Sequence, residues 1–421
     1  MDKYNVKCLL CGEVHDPHAQ SCKRGDDSLL RTYYTAKQLI PGDLPGIWRY
    51  YDWLPTDGII EEGSGRTVTY RSKGLAYALG LDELWIAFNG YWPEKDAYLM
   101  TCTFKDLESF PTMQRLREQK EKRVMVVASA GNTARAFAHV CSITGQPLLL
   151  VVPAQSAHRL WTLHDDNHSI CLVTVDGDYF DAISLAGDIS SREGFVNEGG
   201  ARNVARRDGM ATVMLDAVLT SKTLPDHYLQ AVGSGTGGIS AWEASMRLLE
   251  DGRFGTTLPK LHLGQSLPCA PLYSMWHGIE TVDPACPRGM YDDVLFNRKP
   301  PFAVRGGVSD ALEATGGTIY AVSNKEASRA RELFEDCEGI DINPAAAVAV
   351  ATLVQALEAG NVKPDERIVL NITGGGQKLL MRDYELKQLP VSLAVSAKDK
   401  EAGIKIVEKV SEIFGLQDDG V

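Results

Sequence analysis

The sequence predicts an α/β protein of two doubly wound layers, preceded by a short cysteine-rich segment. Three observations lead there: apolar runs of strand length alternate with alanine-rich helical stretches, the alternation occurs in two separate series, and glycine-rich turns follow several of the strands. Continuous apolar strands separated by helices describe parallel sheets covered on both faces. Sheets of this kind bind ligands beyond the carboxyl ends of their strands, so the ligand site is expected between the two layers.

The first series opens with "RVMVVASAGNTARAFAHVCSITG". It predicts a strand over Val124 to Ala128, a small-residue turn, and a helix ending near Gly145. The buried strand "QPLLLVVP" follows, and "SICLVTVDGDYFDAISLAGDIS" repeats strand, turn and helix. The second series begins at "HYLQAVGSGTGGISAWEASMRLLE" and runs through "KLHLGQS", "GTIYAVSNKEASRARELFEDCEG", "INPAAAVAVATLVQALEAG" and "ERIVLNITGGG". Near the end, "DKEAGIKIVEKVSEIFG" has apolar residues at helical spacing and predicts a docking helix.

A chain of 421 residues is long for one core, so two or three domains are expected. The organisation predicted is a knuckle over 1–30, a large domain over 31–100 and 211–385, a small domain over 101–210, and the docking helix over 386–421. Apolar residues at 44% and charged residues at 23% describe an ordinary globular chain. The net charge of −12 argues against a nucleic-acid surface. No apolar run reaches the length of a membrane span, and "MDKYNVKCLL" lacks a signal-peptide pattern, so the cytoplasm is the expected compartment.

Nine cysteines in such a chain do not suggest a disulfide framework. Six are scattered and read as small core residues. The other three stand in "KCLLCGEVHDPHAQSC", where Cys8 and Cys11 form C-x-x-C and Cys22 follows after ten intervening residues. Zinc takes four ligands in a structural site. Cys8, Cys11 and Cys22 supply three, so a histidine or a more distant residue must complete the set if metal binds.

Three strand-to-helix loops carry the chemistry. In "GSGTGG", residues 233–238, the glycines let successive backbone N–H groups face one point, and the following helix adds its positive end. Gly233, Ser234, Gly235, Thr236 and Gly237 therefore suit a phosphate. The spacing also fits a dinucleotide fingerprint, but the next strand ends in Gln265 and Ser266 where an acidic ribose partner would stand. In "SAGNT", Ser129, Ala130, Gly131, Asn132 and Thr133 offer backbone and hydroxyl donors to a carboxylate, while Asn132 and Thr133 also serve as helix N-caps. Arg135 opposes the helix dipole there and so implies a negative partner. In "NITGGGQK", Thr373 presents one hydroxyl beside glycines that admit a flat ligand.

Lys105 lies in "LMTCTFKDLES", among apolar and hydroxyl residues. An ordinary lysine sends its ammonium into water, whereas a desolvated one becomes a nucleophilic amine. Taken together, a phosphate cup, a ring-facing hydroxyl, an asparagine loop and a lysine describe one ligand, pyridoxal phosphate. Lys105 would bond to its aldehyde, Asn132 would lie beside its ring hydroxyl, and Thr373 would meet its ring nitrogen.

With these residues in place, the chain resembles the fold type II pyridoxal-phosphate enzymes (the tryptophan synthase β-like fold), in their threonine synthase branch. "TFKDL" matches the family's S-F-K-D-R, "SAGNT" its S-S-G-N-T, and "LNITGGGQK" its T-G-x-G segment; the likeness runs from about Glu62 to about Lys378. Leu107 replaces the usual arginine, Arg135 a usual alanine, and "EGSGRTV" puts Arg66 near a position that is usually proline. Cations shifted about the site imply an altered anionic substrate. Over its whole length the chain is most similar to a member of that branch serving coenzyme M biosynthesis. This implies β-replacement on O-phospho-L-serine, with sulfite entering and phosphate leaving, and Lys105 moving the Cα proton. Arg135, Arg66 and Arg159 are the candidates for binding these anions. The alternatives are a threonine synthase using O-phosphohomoserine and water, or a non-catalytic metabolite-binding protein on the same scaffold. Small-molecule substrates, no nucleic acid, no membrane and a homo-oligomer are the expected associations.

Overall fold

The computed structural model describes residues 2–415, except 120–122, 130, 166, 178, 281–288 and 298–299. The chain divides into two compact units: Met1–Pro55 with Ser64–Glu108 and Gly200–Leu380, and Thr56–Gly63 with Ser109–Gly199 and Met381–Val421.

The first unit is built on a six-stranded sheet. Its spatial order is Thr318–Val322, Lys260–Ser266, His227–Ala231, Arg367–Ile372, Glu83–Phe88 and Val68–Arg71. All neighbours are parallel except the last pair, which is antiparallel. Strand Arg367–Ile372 is buried at every position but its first, as a strand covered on both faces must be. The helix Pro344–Glu358 lies among the buried apolar residues of this sheet, its run of alanines and valines supplying volume without polar atoms. At the amino end, Tyr4–Cys8 pairs antiparallel with Val14–His15 on one side and Leu30–Tyr34 on the other. This small sheet docks through ion pairs and hydrogen bonds: Thr32 Oγ1 and Tyr34 OH donate to Asp208 at 2.5 and 2.7 Å, and Arg31 Nε meets Glu243 at 3.0 Å.

The second unit holds a wholly parallel five-stranded sheet, in the order Phe195–Asn197, Val124–Ala128, Leu148–Pro153, Ile170–Asp176 and Leu393–Ser396. The C-terminal helix Ala402–Phe414 buries Ala402, Ile406 and Val410, one apolar residue per turn, in this unit's core. The expected docking helix is therefore part of a larger C-terminal addition, because Leu393–Ser396 enters the sheet as an edge strand. Among the described residues no helix is long and apolar enough to cross a membrane.

Candidate active site

Lys105 is the first residue of the helix Lys105–Arg117, and the turn before it is tied down on both sides. Cys102 sits at φ 55°, a left-handed conformation uncommon for a residue with a side chain. Its carbonyl accepts from Gly375 N at 3.2 Å and from Asn343 Nδ2 at 2.9 Å. Phe104 N donates to the carbonyl of Thr373 at 3.0 Å. Asp106 draws in the other side, accepting from Thr101 Oγ1 at 2.5 Å and Thr101 N at 3.1 Å. The segment carrying Lys105 is thus stitched directly to the loop carrying Thr373.

The lysine amine is partly buried. Nζ lies 3.2 Å from Glu108 Oε2, 4.0 Å from Met210 Sδ and 4.7 Å from the centre of the Phe104 ring. Glu108 is fully buried and receives a second cation, Arg206 Nη2, at 2.6 Å. Burial pushes the Glu108 carboxyl upward, but Arg206 and then Lys105 more than reverse this, leaving it ionised below the usual glutamate range. Glu108 and Arg206 were not singled out in the sequence; the available signal was the i,i+3 spacing that sets a carboxylate on the lysine's own helix face.

The glycine loop follows strand His227–Ala231, and Thr373 follows the neighbouring strand Arg367–Ile372. Gln230 is level with Asn371 across this parallel pair. Gly233 and Thr373 therefore leave the same carboxyl edge from adjacent strands, about 5 Å apart in strand spacing. Gly235 stands at φ +82° as the N-cap of the 16-residue helix Thr236–Asp251 and offers no side chain of its own to cap it. A Cβ at Gly235 would come within 2.3 Å of Val308 Cγ2, and one at Gly237 within 2.0 Å of Gln230 Nε2. Ser234 Oγ and Thr236 Oγ1 lie 2.8 Å apart at that helix start, where Ser234 Oγ also accepts from Thr236 N at 3.4 Å. Backbone donors at a helix start with two hydroxyls form a cradle suited to a phosphate. The residues present thus fit a phosphate-bearing aldehyde: a cradle, a flanking hydroxyl at Thr373 and an amine at Lys105.

The second unit carries the asparagine loop. Ser129 is buried and its hydroxyl accepts from Gly131 N at 3.2 Å. Gly131 takes the N-cap place, with no side-chain cap bond, so Asn132 begins the helix instead of capping it as expected. The Asn132 side chain is used otherwise: its Oδ1 accepts from Arg135 Nη2 at 3.1 Å. Arg135 also donates to the Arg159 carbonyl at 3.3 Å and lies over the Trp161 ring at 4.6 Å. Thr133 is the second residue of that helix, and Ala130 lies outside the described residues. Asn132, Arg135 and Arg159 are therefore one connected group.

Arg66 is spent elsewhere. Its guanidinium meets Asp216 at 3.3 Å and Asp96 at 2.9 Å, two carboxylates that already answer its charge. Cys8, Cys11 and Cys22 do come together in the first unit, and among the described residues Asp26 joins all three, the four ligand atoms lying within 4.8 Å of one another.

Fold and site together define an enzyme class built on a lysine and a phosphate cradle at the edge of a parallel sheet. The family model described as "Pyridoxal-phosphate dependent enzyme" matches residues 60–374. A "Cysteate synthase" of Methanococcoides burtonii is 65% identical, over 98% of this chain and 99% of its own length. Another of that name, from Methanothrix thermoacetophila, is 54% identical over 97% of this chain and 100% of its own length. Among solved structures, maize serine racemase superposes with a TM-score of 0.57 at 13% identity, covering 75% of this chain and 91% of that one. A pyridoxal 5'-phosphate-dependent aspartate racemase gives 0.55 at 14%, covering 73% and 90%. The chain belongs to the pyridoxal-phosphate-dependent enzymes, and within them to the family of these cysteate synthases.

Proposed function

We propose that this protein makes L-cysteate and phosphate from O-phospho-L-serine and sulfite, with pyridoxal 5'-phosphate as cofactor, in the route to coenzyme M. The observation that carries this reading is the 65% identity to a cysteate synthase over nearly the whole of both chains. The balance is a substitution at Cβ: the Cβ–O bond to phosphate breaks, a Cβ–S bond to sulfite forms, and the Cα proton leaves and returns.

When bound, the cofactor supplies an electron sink for the charge left at Cα. The protein supplies the rest. We assign the phosphate to Gly233, Ser234, Gly235, Thr236 and Gly237, and the ring nitrogen to the Thr373 hydroxyl. Asn132 is assigned to the ring hydroxyl. Lys105 Nζ is the covalent anchor and the proton carrier. Glu108 gives that amine a counterion at 3.2 Å, so each proton it accepts creates an ion pair already in place. Arg206 shares the same carboxylate, which keeps Glu108 from taking the proton itself.

Ser129, Ala130, Gly131 and Thr133 are assigned to the substrate carboxylate. Arg135 and Arg159 are assigned to the phosphate or sulfite; Arg66, held by two carboxylates, ranks behind them. A cytoplasmic homo-oligomer completes the reading. The test is product analysis: purified protein with cofactor should release phosphate and cysteate from phosphoserine plus sulfite, and no threonine from O-phosphohomoserine. Threonine without cysteate would replace this reading with the threonine synthase one.

A further inference from the structure

The amino-terminal segment holds a cluster that the reaction does not use. The strand Tyr4–Cys8 ends at Cys8, and the turn after it folds back so that Gly12 N donates to the Cys8 carbonyl at 3.0 Å and Leu10 N to Cys8 Sγ at 3.4 Å. A second turn starts at Cys22, where Gly25 N donates to the Cys22 carbonyl at 3.0 Å. The two turns face one another. Cys11 Sγ and Cys22 Sγ are 3.7 Å apart, and Asp26 Oδ2 lies 3.3 Å from Cys8 Sγ and 3.2 Å from Cys22 Sγ. All four ligand atoms fall within 4.8 Å of one another.

These separations have a specific meaning. Zn–S bonds of about 2.3 Å and Zn–O bonds of about 2.0 Å in a tetrahedron place sulfurs about 3.8 Å apart and sulfur and oxygen about 3.5 Å apart. The Cys11–Cys22, Cys8–Asp26 and Cys22–Asp26 separations lie near those edges, and the remaining ones stay within 4.8 Å. We infer that Cys8, Cys11, Cys22 and Asp26 form a closed structural zinc site of three thiolates and one carboxylate, with Asp26 as the fourth ligand. Four protein ligands leave no open position for substrate, so the role is structural.

The nearest rival ligand is His15. It is buried, its two ring nitrogens have no hydrogen-bond partner among the described residues, and it can approach Cys11 together with Glu13. His15 does not, however, fall within the group of Cys8, Cys11, Cys22 and Asp26, which already supplies four ligand atoms. The other rival is a Cys11–Cys22 disulfide. That would account for one pair but not for Cys8 and Cys22 both converging on a single carboxylate oxygen.

The site also has a structural consequence. It clamps the turn between Tyr4–Cys8 and the chain leading to Leu30–Tyr34, and that last strand grips Asp208. Arg207, next to Asp208, donates to the Leu30 carbonyl, and Arg206 one residue earlier holds Glu108. Zinc is thus expected to stabilise the sheet that leans on the helix carrying Arg206.

The experiment uses the full-length protein loaded with cofactor. Metal analysis after reconstitution with zinc and removal of excess should find about one zinc per chain. Cobalt substitution should give the intense visible bands of a tetrahedral thiolate site. Asp26→Ala should weaken zinc binding at least tenfold, Asp26→His should restore it, and His15→Asn should leave it unchanged. Cys11→Ser, near the surface, serves if the Cys8 and Cys22 variants fail to fold. Zinc well below stoichiometry, binding indifferent to Asp26 and Cys11, dependence on His15 in place of Asp26, or a Cys11–Cys22 disulfide in peptide maps of protein purified under reducing conditions would each overturn the inference. Because the readout is metal content, the result does not depend on whether the protein makes cysteate.

Discussion

Glu108 Oε2 stands 3.2 Å from Lys105 Nζ, one helical turn away and wholly buried, with Arg206 on its other oxygen at 2.6 Å. A carboxylate shared between two cations in a desolvated place is held ionised, and it in turn fixes where the lysine amine rests. Removing it takes from the buried Arg206 guanidinium the carboxylate it meets at 2.6 Å. Glu108→Ala is expected to destabilise the protein by about 3–5 kcal/mol, measured by chemical denaturation.

The isosteric change separates chemistry from folding. Glu108→Gln keeps the shape and one hydrogen bond but no longer offers a counterion to a protonated lysine. We expect cofactor binding to persist while kcat falls by about 10²-fold, within the usual range for assisted proton transfer. The pH–rate profile should shift as well, since the ionisation of Lys105 loses its carboxylate partner. An unchanged kcat and profile would make Glu108 structural only.

Gly235 tests the cradle. An added methyl there faces both a left-handed backbone at φ +82° and Val308 Cγ2 at 2.3 Å. Gly235→Ala should cost roughly 1–3 kcal/mol of stability through strain and overpacking. Cofactor affinity should drop with it, read by fluorescence titration with pyridoxal phosphate. Equal affinity in the variant would place the phosphate elsewhere.

Arg135 joins Asn132 to the Arg159 carbonyl. Arg135→Ala is expected to raise KM for phosphoserine or sulfite while leaving the visible absorbance of bound cofactor in place. Steady-state kinetics with each substrate varied in turn checks this; unchanged KM for both would confine Arg135 to packing on Trp161.

A buried histidine relay gives a pH prediction. His227 Nδ1 and His262 Nε2 are 2.9 Å apart, and His262 Nδ1 lies 2.9 Å from Tyr320 OH. Burial, and then the His227 and Lys260 charges, push His262 down to about 3. The folded protein therefore refuses a proton that the unfolded chain accepts below about 6.5. Stability from His262 is complete above that value and declines as pH falls from there toward about 3. At about pH 5 the loss is on the order of 2 kcal/mol at most. Thermal unfolding should show a lower Tm at about pH 5 than at about pH 7.5, and a smaller drop in His262→Asn. A Tm indifferent to this range would contradict the assignment.

Much of the fold was legible because parallel strands buried on both faces are written as unbroken apolar runs. Val124–Ala128 and the helix after it to Thr144 follow the predicted pattern, and Gly145 ends that helix in the left-handed region. Leu393–Ser396 leaves little trace in the sequence, since a four-residue edge strand in "VSLAVSA" is too short to form an unbroken apolar run. Thr373 and the 233–238 loop stand out because small and glycine residues at strand ends have few other uses, and Lys105 because it lies among apolar and hydroxyl residues.

Buried charges were harder to see. Arg206 and Arg207 in "NVARRDG" look like an exposed helix face, yet both are buried against Glu108 and Glu243. Hydrophobic periodicity carries no mark for a carboxylate that is desolvated and paired. Asp26 escaped for a related reason: beside three thiols, histidine is the expected fourth ligand, and only the turn geometry brings a carboxylate to the sulfurs.

The most direct test of the account is borohydride reduction of the cofactor-loaded protein followed by peptide mass mapping. A single pyridoxyl phosphate adduct is expected, on the peptide holding Lys105, and none in Lys105→Ala. An adduct on a different lysine, or a protein that binds the cofactor without any reducible bond, would contradict it.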